Sequence, residues 1–147
     1  MRLNIFFLLL FFLCSSFTKN EKGNFRIKLI EYDLTFVPDK CKGMITKVDK
    51  KKSRYYKLYL KDCKGTMLFE SFDLQDSTLK ERGSYIASLD LLKSYIYAIN
   101  ATTGKSEVKV SKYYQPLKDG TWYFYGDEGN KIKAKEIYKR GVLISKE

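Results

Sequence analysis

Apolar and polar residues alternate along much of the chain, which is the pattern of a β-strand with one buried face. Phe25, Ile27 and Leu29 lie on one side of such a strand, with charged residues between them. The pattern predicts one long strand over residues 25–37, or two strands broken near Glu31, ending just before a proline. Three further strands are predicted at 43–49, 54–62 and 66–72, the first two forming a hairpin around residues 50–53.

Residues 73–94 do not show clear alternation. Apolar residues in this stretch and just beyond it follow the spacing of an amphipathic helix: Tyr85, Leu89, Leu92, Ile96 and Ile99. We expect a short helix here, followed by a strand that begins at Tyr95. The expected fold is therefore mainly β, an antiparallel sheet of β-hairpins with one short helix.

The last fifty residues contain an internal repeat with a constant offset of 25 positions. The matched positions are Tyr97 with Trp122, Gly104 with Gly129, and Tyr113 with Tyr138. Each unit has the pattern of a strand, a glycine turn and a return strand, and such a unit buries its apolar face only by packing on a neighbour. We therefore predict hairpin repeats over residues 95–147.

The second unit carries the motif of a known repeat family. It contains Asp119-Gly120, the aromatic run 122–125, Gly129 and the closing Tyr138-Lys139-Arg140-Gly141. This pattern resembles the bacterial MORN-like repeat, although the preceding unit has Ile99-Asn100 where the family has aromatic residues. The resemblance covers roughly a third of the chain and implies a ladder of β-hairpins in an extended sheet. It implies no catalytic residues.

The N-terminal segment has the layout of a secretory signal. Arg2 supplies a positive charge, residues 5–13 are all apolar, and small residues up to Ser16 precede a polar stretch. The apolar run is too short to span a bilayer. We predict a signal peptide at residues 1–16, cleaved after Ser16, and a single β-rich domain at 17–147. The expected location is secreted or periplasmic.

Cys14 offers an alternative in which a lipid attached to this cysteine anchors the protein to a membrane. That processing prefers a small residue before the cysteine, and Leu13 stands there instead. Membrane association is expected only in this lipidated form.

The two remaining cysteines, Cys41 and Cys63, are predicted to form a disulfide, because an even number in an exported chain favours pairing. A hairpin that turns at Lys52 places them directly opposite each other, at a spacing that suits a disulfide. The same register pairs Met44 with Leu60, Thr46 with Leu58, Val48 with Tyr56, and Lys47 with Lys57. The alternative is two buried free thiols.

Composition and charge narrow the expected partners. Aromatic residues make up 16% of the chain, which favours strands. The formal net charge is +11, but the lysines are scattered and the only tight basic run is 50–52. A nucleic-acid site would need clustered basic residues among exposed aromatics, so no nucleic acid is predicted. The expected partner is an unknown envelope protein or an anionic glycan.

The absence of histidine excludes Ser-His and Cys-His nucleophile systems and the usual imidazole ligands of catalytic zinc. The run Thr103-Gly104-Lys105-Ser106 ends like a phosphate-binding loop, but that loop needs a glycine at position 99, where isoleucine stands. We therefore predict no catalytic residues, no cofactor and no metal site.

Two carboxylate pairs keep a hydrolase open as an alternative, because a glycosidase needs only two acids on facing elements. The pairs are Glu70 with Asp73, and Asp127 with Glu128. Acids adjacent to each other on a turn are more often solvated than catalytic.

A candidate binding surface lies in the C-terminal unit, at Trp122, Tyr123, Tyr125 and Lys131. Consecutive aromatics on a strand occupy both faces, so one face can be core while Tyr123 and Tyr125 contact a sugar ring or a protein. The sequence thus predicts an exported, non-catalytic binding or interaction module of unknown ligand. A small carboxylate-dependent hydrolase acting on cell-wall glycan, and a structural envelope component, are the alternatives.

Overall fold

Eleven β-strands form within residues 25–128 and 131–147, which are the residues that the computed structural model describes. The predicted signal peptide, its cleavage after Ser16, Cys14 and the repeat glycine Gly129 lie outside these residues. A 3-10 turn at Ile30–Tyr32 separates the first two strands. The strands are β1 (Arg26–Leu29), β2 (Leu34–Phe36), β3 (Gly43–Asp49), β4 (Arg54–Leu60), β5 (Met67–Asp73), β6 (Leu79–Ile86), β7 (Leu91–Ile99), β8 (Ser106–Tyr114), β9 (Leu117–Tyr125), β10 (Ile132–Lys139) and β11 (Val142–Lys146).

The strands form two sheets. A seven-stranded sheet has the order β11-β10-β9-β6-β5-β4-β3, and a four-stranded sheet has the order β2-β1-β8-β7. Neighbouring strands are antiparallel except β1 and β8, which run in parallel. The prediction of a mainly β fold built from antiparallel hairpins is therefore confirmed.

The helix predicted within residues 73–94 is wrong, because this stretch supplies β6 and the start of β7. Its helical apolar spacing does not correspond to a buried face: Tyr85 is buried, but Leu89, Leu92, Ile96 and Ile99 are exposed. The stretch instead shows the alternating burial of a strand, because Gly83 and Tyr85 point into the core and the residues next to them are exposed or half-buried. The break predicted near Glu31, by contrast, is confirmed by the 3-10 turn.

The hydrophobic core lies between the inner face of the seven-stranded sheet and the β1–β2 hairpin. Its buried members come from both layers: Ile27, Leu29, Phe36, Tyr56, Leu58, Leu60, Met67, Phe69, Tyr85 and Trp122. Aromatic rings pack edge to face within it; the ring centroids of Tyr85 and Trp122 are 5.0 Å apart. Tyr32 covers this layer from the 3-10 turn, with its ring centroid 4.6 Å from that of Phe69.

The β3–β4 hairpin forms as predicted, but its register differs by one residue. Asp49 closes the ladder opposite Arg54, so Met44 faces Tyr59 and not Leu60. The cause is the turn, because the Asp49 carboxylate accepts hydrogen bonds from the backbone amides of Lys51 and Lys52 and forms a four-residue loop. The predicted pairs of Thr46 with Leu58, Val48 with Tyr56, and Lys47 with Lys57 are likewise wrong.

The Cys41–Cys63 disulfide is present, as predicted, although the two cysteines lie beyond the end of the ladder. Gly43 has φ +128° and turns the chain out of the pairing, while Cys63 lies in the loop between β4 and β5. The bond therefore joins the segment before β3 to that loop. A disulfide is compatible with an extracellular or periplasmic location.

The two predicted repeat units both form hairpins, but they belong to different sheets. The first is the β7–β8 hairpin of the four-stranded sheet, and the second is the β9–β10 hairpin of the seven-stranded sheet. The first unit thus does not stack on the second through backbone pairing. Within the described part of the chain, no helix is long and apolar enough to cross a membrane.

Candidate functional site

The predicted binding residues lie on two opposite faces of the seven-stranded sheet. Trp122 is 0% exposed and belongs to the core, so its inclusion in a binding surface is wrong. Tyr123 and Tyr125 are half-buried and lie on the outer face, which no second layer of the described residues covers. Lys131 is exposed in the β9–β10 turn, where its carbonyl accepts a hydrogen bond from the Gly126 amide.

Tyr123 and Tyr125 form one wall of a groove of about 250 Å³ on the outer face. This outer groove is lined by Leu68, Arg82, Gly83, Ser84, Thr121, Tyr123 and Tyr125. The register explains the assembly, because β6 pairs with both β5 and β9 and places Arg82 directly opposite Tyr123. Gly83 lines the groove only with its backbone, because its Cβ position points to the inner face of the sheet, toward Trp122.

Arg82 is the cation of the outer groove. Its Nε lies 3.5 Å from Oε1 of Glu70, and its side chain remains 54% exposed. The Tyr59 hydroxyl donates a hydrogen bond of 3.3 Å to the other oxygen of Glu70, which fixes the carboxylate. A guanidinium held at one edge and exposed at the other is able to bind a second carboxylate or a sulfate through its planar donors.

Aromatic residues extend this surface across β4 and β5. Tyr55 and Phe72 stack with ring centroids 4.9 Å apart and an interplanar angle of 8°. The Lys57 ammonium lies 4.9 Å from the Phe72 centroid. The outer face therefore combines flat apolar rings with cationic groups. This combination suits a sugar chain, whose C–H faces pack on rings and whose acidic substituents pair with cations.

A second cluster of charged residues lies on the inner face, and the sequence reasoning missed it. Lys118 Nζ is 3.0 Å from Oε2 of Glu31 and 3.9 Å from Oε1 of Glu81, and its side chain is only 10% exposed. The ammonium also lies 4.3 Å from the Trp122 ring centroid. Alternation along β9 could have indicated this position, because Lys118 and Trp122 are both even-numbered residues of one strand.

The inner cluster has the character of a compensated buried charge. Burial raises the pKa of Glu81, and the hydrogen bond with Tyr32 and the charge of Lys118 offset this only in part. Burial also raises the pKa of Tyr85, whose hydroxyl lies 3.5 Å from Oε2 of Glu31. Buried charges need such partners, because an unpaired charge in the core would strongly destabilise the fold.

The carboxylate pairs considered from the sequence are not joined into one site. Glu70 lies on the outer face beside Arg82, whereas the Asp73 carboxylate accepts a hydrogen bond from the Gln75 amide in the β5–β6 turn. Asp127 is fully exposed and lies 3.3 Å from Lys80 Nζ, with Glu128 exposed next to it in the chain. Of these acids, only Glu70 lies beside the outer groove.

Comparisons with protein-family models, with curated proteins and with solved structures give no match to this chain. The MORN-like resemblance of the C-terminal unit therefore stays a prediction.

Proposed function

We propose that this protein is an exported, non-catalytic binding module that takes an anionic glycan on the outer face of its seven-stranded sheet. The observation that carries the proposal is the outer groove, where two tyrosines face an exposed guanidinium on the sheet face that no second layer of the described residues covers. Export is supported by the secretory layout of residues 1–16 and by the Cys41–Cys63 disulfide. The net charge of +11 favours an acidic ligand over a neutral one.

The test is calorimetric titration of the purified protein with an oligogalacturonate and, separately, with its methyl ester. These two glycans share one backbone and differ in charge, so their comparison isolates the ionic contribution. We expect binding of the acid form and at least about tenfold weaker binding of the ester, because a charge-assisted hydrogen bond contributes about 1.5–3 kcal/mol.

Two variants assign the site. Arg82→Gln removes the exposed cation and Tyr123→Ala removes one ring of the groove wall; each is expected to weaken binding of the acid form about tenfold or more. Tyr97→Ala is the control, because Tyr97 is an exposed tyrosine on a different sheet. Equal binding of acid and ester, or equal loss in Tyr97→Ala and Tyr123→Ala, would contradict the proposal.

The hydrolase alternative is tested with the same glycans. Release of reducing ends by the wild-type protein, lost in Glu70→Gln, would replace the binding module with an enzyme that uses Glu70. Binding without release of reducing ends would support the non-catalytic proposal.

A further inference from the structure

The β7–β8 hairpin is the most exposed apolar element of the described chain. Tyr95 and Tyr97 are 60% and 81% exposed, and they share one face of the hairpin with Val110 and Val108 directly opposite. Ile99 extends this face toward the tip. The opposite face carries Ile96, which is 53% exposed. Exposed apolar surface of this kind marks a site of interaction with another molecule.

Most of this hairpin is a ribbon of only two strands. β1 pairs with β8 only at Tyr113 and Tyr114, so residues 93–112 have no third strand beside them in the described structure. A two-stranded hairpin is only marginally stable in water, and three or more strands are normally needed. A further strand is able to add at the free edge of β7, or at the edge of β8 over residues 106–112, where Glu107, Lys109 and Lys112 carry charges.

β7 is also the least protected edge of the two sheets. Among the other edge strands, β2 has only three residues, and β11 has five and pairs with β10 through a bulge at 137/138. β3 carries two charged residues and begins at Gly43, where the chain turns away from the sheet. β7 has nine residues in an uninterrupted register with β8, and Lys93 is its only charged residue. Short length, bulges and charges normally prevent edge-to-edge pairing, and β7 has almost none of them.

We propose that the β7 edge pairs antiparallel with β7 of a second copy of this chain, forming a symmetric dimer with one continuous sheet. Residues directly opposite each other in an antiparallel pair lie on the same face of the sheet. The two-fold axis therefore lies between one residue and the same residue of the second copy. When the axis lies at Tyr95, all nine residues of β7 are paired with the second copy. When it lies at Ser94 or Ile96, only seven are paired.

The charges of β7 fit this register. With the axis at Tyr95, Lys93 faces Tyr97 of the second copy, and no lysine faces another lysine. Leu91 then faces Ile99, and the two copies of Tyr95 face each other. Apolar and aromatic cross-strand pairs stabilise a sheet, whereas like charges directly opposite destabilise it. This surface is separate from the outer groove, so the proposal stands independently of glycan binding.

Charge substitutions at the axis test the proposal. Wild-type protein is expected to show a concentration-dependent monomer–dimer equilibrium by sedimentation velocity. Tyr95→Lys and Tyr95→Glu each place two like charges opposite each other and are expected to raise the dimer dissociation constant at least about tenfold. A mixture of the two variants pairs lysine with glutamate and is expected to regain the dimer.

Val110→Lys is the control that separates edge pairing from other contacts. Val110 lies opposite Tyr95 on the same face but on β8, one strand away from the edge. Edge pairing predicts that Val110→Lys still dimerises. A wild-type protein that stays monomeric up to near-millimolar concentration would overturn the proposal. Equal loss of dimerisation in Val110→Lys and Tyr95→Lys would also overturn it, because the contact would then lie on the exposed face of the hairpin. Binding of the protein to anionic lipid vesicles without dimerisation would overturn it as well.

Cysteine substitutions test the register itself. Tyr95→Cys is expected to form an interchain disulfide under mild oxidation, because the two copies face each other directly. Tyr97→Cys is not, because its two copies are offset by four residues, about 13 Å along the strand. Equal crosslinking of the two variants would overturn the register.

Discussion

The centre of the core depends on a contact between Gly83 and Trp122. A Cβ atom built at Gly83 would overlap the indole ring, so no other residue fits without moving the tryptophan or its strand. The indole Nε1 donates a hydrogen bond of 3.2 Å to the Ser84 carbonyl, which fixes the ring against β6. Because position 83 has no side chain on the inner face, the indole ring of Trp122 lies directly against the backbone of β6.

Gly83→Ala is expected to destabilise the protein by about 1–3 kcal/mol, because the added methyl group overpacks the core. Trp122 is the only tryptophan, so its fluorescence during urea unfolding reports the change directly. Gly126→Ala is the matched control: its added Cβ meets only the Lys131 carbonyl at 3.8 Å, and the change is expected to stay within about 1 kcal/mol. Equal stability of the two variants would contradict the packing argument.

Glu81 makes the stability of the protein depend on pH. Its pKa in the folded state is raised above the ordinary 4.5, mainly by burial, so folding disfavours the ionised form. The contribution of the protonated form is fully present below pH 4.5 and is lost as pH rises through the raised pKa. Glu81→Gln has no carboxyl group to ionise and does not lose this stability. The free energy of unfolding of the variant, relative to wild type, should therefore increase as the pH rises from 4.5 through the raised pKa.

Urea unfolding at a series of pH values measures this difference. Asp76→Asn is the control with the opposite sign, because hydrogen bonds from Thr78 lower the pKa of Asp76 below 3.8. Its wild-type contribution is present above 3.8 and is lost as pH falls through the lowered value. A Glu81→Gln difference that is independent of pH would show that burial does not perturb this carboxyl group.

At the scale of the element, alternation in the sequence predicts the strands well but not their register. The bounds of β3 are predicted to the residue, and those of β4 and β5 within two residues. The register depends on whether the turn centres on Lys52 or between Lys51 and Lys52, and the Asp49 side chain decides this through two hydrogen bonds. Alternation alone carries no information on such a bond.

The disulfide is expected to stabilise the β3–β5 region through the unfolded state. A disulfide between residues 22 positions apart lowers the conformational entropy of the unfolded chain, which raises the free energy of unfolding by about 3 kcal/mol. The double variant Cys41→Ser/Cys63→Ser should lose about this amount in urea unfolding, and wild-type protein unfolded with a reductant should match it. Wild-type stability that does not respond to the reductant would contradict this expectation.

At the scale of the whole molecule, the assignment of strands to sheets could not be predicted from the sequence. The repeat units look equivalent in sequence, yet β9 lies beside β6 in the core sheet, whereas β7 has no neighbour on one side among the described residues. The difference arises from long-range packing: Trp122 fits against Gly83, whereas Tyr97, the matching position of the first unit, stays exposed. The outer groove depends on the same assignment, since β6 supplies Arg82 and β9 supplies Tyr123.

The net charge of +11 gives the two proposed interactions opposite responses to salt. Binding of an acidic glycan is an attraction between unlike charges, so raising the ionic strength from about 0.01 M to 0.1 M, which shortens the Debye length from about 30 Å to about 10 Å, should weaken it. Association of two cationic copies works against repulsion, so the same change should strengthen the dimer. Titration with oligogalacturonate and sedimentation velocity at both ionic strengths measure the two signs. A dimer weakened by salt would mean that attraction between unlike charges holds the copies together, which pairing of the two β7 edges does not provide.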